Sequence, residues 1–382
     1  MFSLLRSENN LNMLSYNIIM LKTIFIIIMG IHGLIHLMGF LKAFDLATLE
    51  QLTQSISKPI GILWLTTTIL FLVSIFLFVS NKEWWWIVGL LAVIVSQVVI
   101  VTSWSDAKFG TIPNIIILLV IVASAGVYFF EQDYKNDVSY NLRYNNDNNE
   151  TILTEKDIED LPLSVQKYLR YVGVIGKPKT KNFYAVFEGQ MRDKQKEFSF
   201  SSEQYNFFKE PSRLFFMKGK IFGITVPGYH KYMKQEARMD IKLFGFIPLV
   251  KLNNEVMFKS ETVTTFAELC YYAPSLLANK NIVWDEIDNF TAKATFVNKN
   301  TKIVATLHFN EKGQLINFIS DDRTDISDMK QHRFSVPVSE YKTFEGQKVP
   351  TEIKGIWHYP EGDFVYANLI LKNIEFNIDK KI

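Results

Sequence analysis

Four stretches of the chain, residues 23–40, 59–79, 84–104 and 112–130, contain no Asp, Glu, Lys or Arg. A bilayer core of about 30 Å needs roughly 20 apolar residues at about 1.5 Å each, so all four predict membrane-spanning helices. The flanks agree. Ser57-Lys58-Pro59 and Thr111-Ile112-Pro113 place a cap and an early proline before two of the spans. Trp84, Trp85, Trp86 and Trp104 sit at span ends, where amphipathic rings favour the headgroup level. Residues 41–58 carry Leu46, Leu49, Leu52 and Ile56 at helical spacing and predict a short helix in the interface, with a plain loop as the alternative. Lys22 and the apolar body after it resemble a signal peptide, but Gly39-Phe40-Leu41-Lys42 offers no small-x-small cleavage site. Met20-Leu21-Lys22 reads as a natural start, which makes residues 1–19 an extension.

The pattern then changes. Residues 131–153 form a polar linker containing Asn145-Asn146-Asp147-Asn148-Asn149. Thr154 and Asp157 suggest a capped helix start, and Leu163, Val165, Leu169 and Val172 continue a helical period that Gly173 ends. From Lys181 onward the period is two. Phe183, Ala185 and Phe187 alternate with polar neighbours, as do Ile303, Ala305, Leu307 and Phe309. Turns such as Asn298-Lys299-Asn300, Glu345-Gly346 and Glu361-Gly362-Asp363 separate these runs, giving consecutive antiparallel hairpins. Residues 260–277 interrupt them with a helical pattern.

The expected fold is therefore an N-terminal α-helical transmembrane bundle of four helices and a C-terminal, mainly antiparallel β domain. That domain is a curled sheet of about ten strands with one or two covering helices. The boundaries are 1–130, 131–153 and 154–382. The interior of a curled sheet is either a filled core or a cavity, and Phe207, Phe208, Phe215, Phe216, Tyr271 and Tyr272 suit both.

Charge sharpens this division. Of 80 charged side chains only 11 precede residue 131, and the formal net charge is +2. That balance excludes a strongly basic nucleic-acid binder. A single cysteine, Cys270, excludes an internal disulfide framework and a Cys-based metal cluster. Near the span ends Arg6, Lys22, Lys82, Lys135 and Arg143 oppose Lys42, Lys58 and Lys108, which favours termini and β domain on the cytoplasmic side of a plasma (inner) membrane.

Candidate chemistry is sparse. His32 and His36 lie four apart, on one face of the first span. Such a pair would ligate a metal or haem or relay protons, or else bond to neighbouring helices; the second reading is expected. Ser103–Gly110 is a short turn holding Trp104, Asp106 and Lys108. Arg238, Asp240, Asp321, Asp322 and Arg323 are the candidate ligand-binding residues of the β domain; Arg238 could pair with Asp321 or Asp322 at a sheet end or hold a lipid headgroup, and a purely structural role is the expected reading. No catalytic set, metal site or cofactor motif emerges.

Several segments carry a resemblance: His36–Phe44, Ser103–Gly110, Val165–Gly173 and Ala237–Leu249. Through them the chain resembles an uncharacterised, Bacteroidetes-type bacterial membrane protein family with four N-terminal transmembrane helices. More loosely, the soluble half is similar in pattern to the curled half-barrels of the LolA, lipoprotein-carrier type. That likeness implies an extracytoplasmic β domain, against the charge bias, and fold alone does not fix function. The leading expectation is a multi-pass membrane protein whose β domain binds a lipid or other apolar ligand, with the bilayer as partner. The alternatives are a non-catalytic scaffold or subunit of an envelope complex and, behind it, a membrane-tethered enzyme using Asp321, Asp322 and Arg238.

Overall fold

The computed structural model describes residues 2–144, 150–193, 196–221 and 224–382, with side chains from residue 19 onward. The asparagine run at 145–149 lies outside them, as do the side chains of residues 1–18. The helices are α1 (Phe2–Ile35), α2 (Leu37–Ala43), α3 (Lys58–Val79), α4 (Trp85–Thr102), α5 (Trp104–Ala107), α6 (Thr111–Tyr144), α7 (Leu163–Val172) and α8 (Glu255–Tyr272). Residues up to Phe130 form one compact unit, and the chain from Glu131 forms the bulk of a second.

In the helical unit four helical stretches are long and apolar enough to span a membrane: Ile19–Ala43, Lys58–Val79, Trp85–Thr102 and Trp104–Tyr144. Phe25, Met29, Phe71, Ala92, Ile117 and Ile121 are buried between them, while Ile27, Leu34, Phe76, Leu91 and Leu119 face outward. A helix that is apolar all round belongs in a core or a bilayer. Residues 44–57 are not helical. Asp106 explains this, because its carboxylate accepts the backbone N–H of Thr53 at 2.6 Å and of Gln54 at 2.9 Å and the Thr53 hydroxyl at 2.7 Å. Donors that an interfacial helix would use internally are spent on that side chain.

In the second unit the strands are β1 (Asn182–Arg192), β2 (Glu197–Phe207), β3 (Ser212–Ile221), β4 (Ile224–Met233), β5 (Glu236–Leu243), β6 (Ile247–Leu252), β7 (Ile282–Asp288), β8 (Thr291–Asn298), β9 (Thr301–Phe309) and β10 (Leu315–Ser320). A short ribbon, β11 (Thr324–Asp325) with β12 (Lys330–Gln331), precedes β13 (Arg333–Phe344), β14 (Gln347–Tyr359) and β15 (Gly362–Phe376). Among the described residues they build one antiparallel sheet of 13 strands in the order β6-β5-β4-β3-β2-β1-β15-β14-β13-β10-β9-β8-β7, open at β6 and β7. The expected ten falls short because β3 and β4 bury side chains on both faces, and an alternating pattern vanishes when neither face meets water.

Two meanders meet at the β1–β15 pair, and α8 connects one open edge to the other. Helix α8 packs on both β5 and β9. Those strands stand nine places apart, about 43 Å in a flat sheet, whereas an 18-residue helix is about 27 Å long, so the sheet curls around it. The Asn254 side chain caps α8 by accepting the Met257 N–H at 2.8 Å, so the helix begins at Glu255, five residues before the expected start. Ahead of α7, Thr154 and Asp157 form a capping box around a single 3₁₀ turn, and Gly173 takes the left-handed φ of 75° that stops the helix.

The face toward α7 and α8 is the inner face. On the outer face lies the polar stretch 131–144, which is helix rather than spacer. Tyr134 of α6 stacks on Phe216 with ring centroids 5.2 Å apart, and Asp137 accepts the Tyr229 hydroxyl at 2.8 Å and pairs with Lys231 at 2.7 Å.

Candidate functional site

Under α8 the interior is filled. Phe266 lies parallel to Phe296 at 4.7 Å and edge-on to Phe318 at 5.9 Å, with Val263 and Cys270 fully buried beside it. Burial pushes the Cys270 thiol well up, which makes it an inert core residue.

One side of α8 is charged instead. Glu261 and Glu268, seven residues apart, project from it toward the inner face. Arg213 of β3 reaches both, Nη1 to Glu261 at 3.2 Å and Nε to Glu268 at 2.9 Å. Glu268 also accepts from Gln204 at 2.7 Å and Asn206 at 2.9 Å on β2, and His230 of β4 lies 3.5 Å from Glu261. All of these strands present the side chains concerned to one face, because Asn206 stands opposite Arg213 and Gln204 opposite Phe215. Burial opposes ionisation of Glu261, but Arg213 and His230, with Arg323 further off, outweigh it and hold the carboxyl at about 2. For Glu268 burial prevails over Arg213, and its pKa is raised. The cluster pins α8 to the sheet with few donors left over, which suits a strut better than a reaction centre.

Further along the same strands the inner face becomes half-exposed. Phe200, Phe215 and Met217 form its floor, and Met191, Phe198 and Leu369 lie partly open above it. Next to this wall three strands bring rings together. Phe334 and Trp357 face each other across β13 and β14 at 4.9 Å, and Tyr366 of β15 joins them at 5.9 and 6.0 Å. Arg323 lies over these rings, 4.0 Å from the Phe334 centroid and 5.2 Å from that of Trp357, and donates to the Tyr366 hydroxyl at 3.1 Å. Arg192 covers Phe364, the cross-strand neighbour of Trp357, at 4.7 Å. Gly355 makes room, since a Cβ there would stand 2.5 Å from the Tyr366 ring. The arrangement offers apolar contact area with cations at its side.

The remaining candidates are dispersed. Arg238 pairs with Asp240 at 2.6 Å on β5, whose Asp240 stands opposite Tyr229 in the region that α6 covers, so both belong to the outer face. Asp321 pairs with Arg333 at 2.9 Å and Asp322 with Lys259 at 2.6 Å, so neither pairs with Arg238. Of the five only Arg323 reaches the aromatic wall. Sequence reasoning passed over Arg213, Glu261, Glu268 and Arg192. The seven-residue spacing of the two glutamates, which puts both on one side of the helix, was the available signal. In the helical unit His32 Nε2 lies 2.9 Å from Asn114 Oδ1 and 3.2 Å from Ser96 Oγ, and the same hydroxyl lies 2.9 Å from His36 Nε2. His36 Nδ1 donates to the His32 carbonyl at 2.8 Å. Both rings are buried and bonded across α1, α4 and α6.

Residues 151–369 match a Family of unknown function (DUF6544), which is more than half of the chain. The chain belongs to this family. No curated protein is similar enough to count as a relative. Among solved structures, the chain is similar to a putative outer membrane lipoprotein-sorting protein domain from Vibrio parahaemolyticus, with 10% identity, 58% of this chain and 94% of that one covered, and a TM-score of 0.34. It is similar to a LolA superfamily protein from Nitrosomonas europaea, with 11% identity, coverage of 56% and 94%, and a TM-score of 0.34. A DUF1329 family protein from Desulfovibrio piger shows 10% identity, coverage of 60% and 96%, and a TM-score of 0.32. Likenesses this distant say nothing about a ligand.

Proposed function

We propose that this family member is a multi-pass inner-membrane protein whose sheet domain binds a lipid or other apolar ligand along the half-exposed inner wall. The observation that carries the reading is the wall itself. Met191, Phe198 and Leu369 leave apolar surface partly open on the inner face, whereas Val263, Phe266 and Cys270 under α8 are fully buried. Burying such surface yields about 25 cal/mol per Å², and few polar groups on it need satisfying. Insertion through the four apolar helical stretches is supported by the outward-facing Ile27, Phe76, Leu91 and Leu119, which water would penalise and lipid would not.

The test is a diazirine-bearing fatty acyl probe, photolysed with the full chain purified in a maltoside detergent. Peptides of β1, β2 and β15 that include Met191, Phe198 and Leu369 should carry the label. Label confined to the membrane helices would overturn the reading. A scaffold role remains the second reading, favoured by the open β7 edge and exposed Val283. Crosslinking that recovers one stoichiometric protein partner at β7 would favour it.

A further inference from the structure

The aromatic wall ends in a cation, Arg323. Among the described residues no carboxylate lies within ion-pair distance of Arg323. The acids near it in sequence are taken. Asp321 holds Arg333, Asp322 holds Lys259, and Asp325 accepts from Ser327 and Tyr359. Glu261, which feels Arg323 at longer range, is committed to Arg213 and His230. Arg323 is nevertheless only half-exposed. Removing a charge from water without a counter-charge is costly, and stacking on rings offsets only part of that cost.

The geometry says what is missing. A guanidinium whose central carbon stands 4.0 Å from a ring centroid is attracted to the ring electrostatically, and the N–H groups of its planar fork are free to bond elsewhere. One of them goes to the Tyr366 hydroxyl. The rest form the fork that matches a carboxylate or phosphate with two parallel hydrogen bonds. Arg192, stacked on the neighbouring ring Phe364, adds a second positive charge at the exposed rim. Apolar surface for a chain and an unneutralised fork for a head adjoin each other.

We propose that the ligand is an acidic amphiphile, its carboxylate or phosphate seated on Arg323 and its chain lying over Met191, Phe198 and Leu369. The inference rests on the apolar-ligand reading above and narrows it to one class of ligand.

Oleic acid and oleyl alcohol have the same chain and differ in the charge of the head. Each is titrated against the full chain in maltoside micelles, using wild type, Arg323→Gln and Arg323→Lys. Wild type should hold oleate about 10- to 100-fold more tightly than Arg323→Gln does, the span expected for a charge-assisted hydrogen bond. Arg323→Lys should fall between them. Oleyl alcohol should bind wild type and Arg323→Gln within about twofold of each other, because burial of the chain alone holds it. Millimolar inorganic phosphate should leave oleate in place, because the head alone lacks the wall. Equal oleate affinity in wild type and Arg323→Gln would overturn this inference and leave the apolar-ligand reading standing. Failure of both probes to bind would overturn the two together. Displacement of oleate by phosphate would make Arg323 a free-anion site and overturn the amphiphile. Retention of the wild-type melting temperature in Arg323→Gln shows that a lost affinity is not a lost fold.

Discussion

Replacing Arg213 by methionine removes the cation that touches both Glu261 and Glu268. The three side chains are buried, at 8%, 4% and 10% exposure, so water does little to screen what is left. Breaking one side of a buried ion pair costs about 3–5 kcal/mol, since a carboxylate stays behind without its counter-charge. Here Glu268 keeps Gln204 and Asn206, and Glu261 keeps His230, which points to the lower end, about 3 kcal/mol. For a domain of this size that is a fall in Tm of about 6–12 °C. Thermal unfolding of the full chain in maltoside micelles, followed by tryptophan fluorescence, reads it. Adding Glu261→Gln and Glu268→Gln to Arg213→Met should recover at least half of the loss, because the stranded charges are then gone. An acid titration supplies the second arm. The Glu261 carboxyl is held at about 2 in the fold, below its unfolded value of about 4.3, so its contribution is complete above that value and lost as pH falls toward 2. Glu268 has the opposite sign: its raised pKa means that ionisation costs stability as pH rises. Glu261→Gln should therefore flatten the acid limb between about pH 4.5 and 2. A melting temperature for Arg213→Met within about 2 °C of wild type would refute the reasoning, since it would mean that water reaches the cluster.

Gly355→Ala would place a Cβ 2.5 Å from the Tyr366 ring and should force the ring away, loosen its hydrogen bond to Arg323 and weaken oleate binding roughly tenfold, read in the same titration; unchanged affinity would show that the ring does not set the Arg323 fork. Ser96→Ala takes a partner from both His32 and His36 and should destabilise the helical unit by about 1–3 kcal/mol, whereas Ser74→Ala removes a buried hydroxyl that makes no hydrogen bond and should cost under about 1 kcal/mol. Equal melting temperatures for the two variants would contradict this. In a Cys270→Ser background, Asn81→Cys and Ser105→Cys should react with a membrane-impermeant maleimide from opposite sides of sealed vesicles, and labelling of both from one side would remove the four-span topology.

The sequence reveals an element when one of its faces meets a different medium from the other, or when all of it does. The four apolar helical stretches are legible because runs of about 20 residues without Asp, Glu, Lys or Arg stand out from the rest of the chain. Strands β8, β9 and β14 are legible because one face is wet, so Ala292, Ala294 and Phe296 alternate with exposed neighbours. Strands β3 and β4 lack that contrast, and the helical stretch 131–144 hides because Tyr134, Val138, Asn141 and Leu142 turn inward from a mostly polar run. For the site, Arg323 was legible as a charged residue but its surroundings were not. Phe334, Trp357 and Tyr366 come from three strands, and only their pairing brings the rings to one cation. The partners of Asp321 and Asp322 were hidden for the same reason, since Lys259 lies 63 residues from Asp322.

The central claim is that the inner wall holds an apolar ligand, and native mass spectrometry of the full chain tests it most directly. Wild type and Met191→Asp would be purified from membranes in the same maltoside detergent and compared after release from the micelle. The account predicts a lipid-sized adduct on wild type that Met191→Asp loses, because a carboxylate on the open wall repels both the chain and an acidic head. Wild type without an adduct, or equal adducts on both proteins, would contradict it.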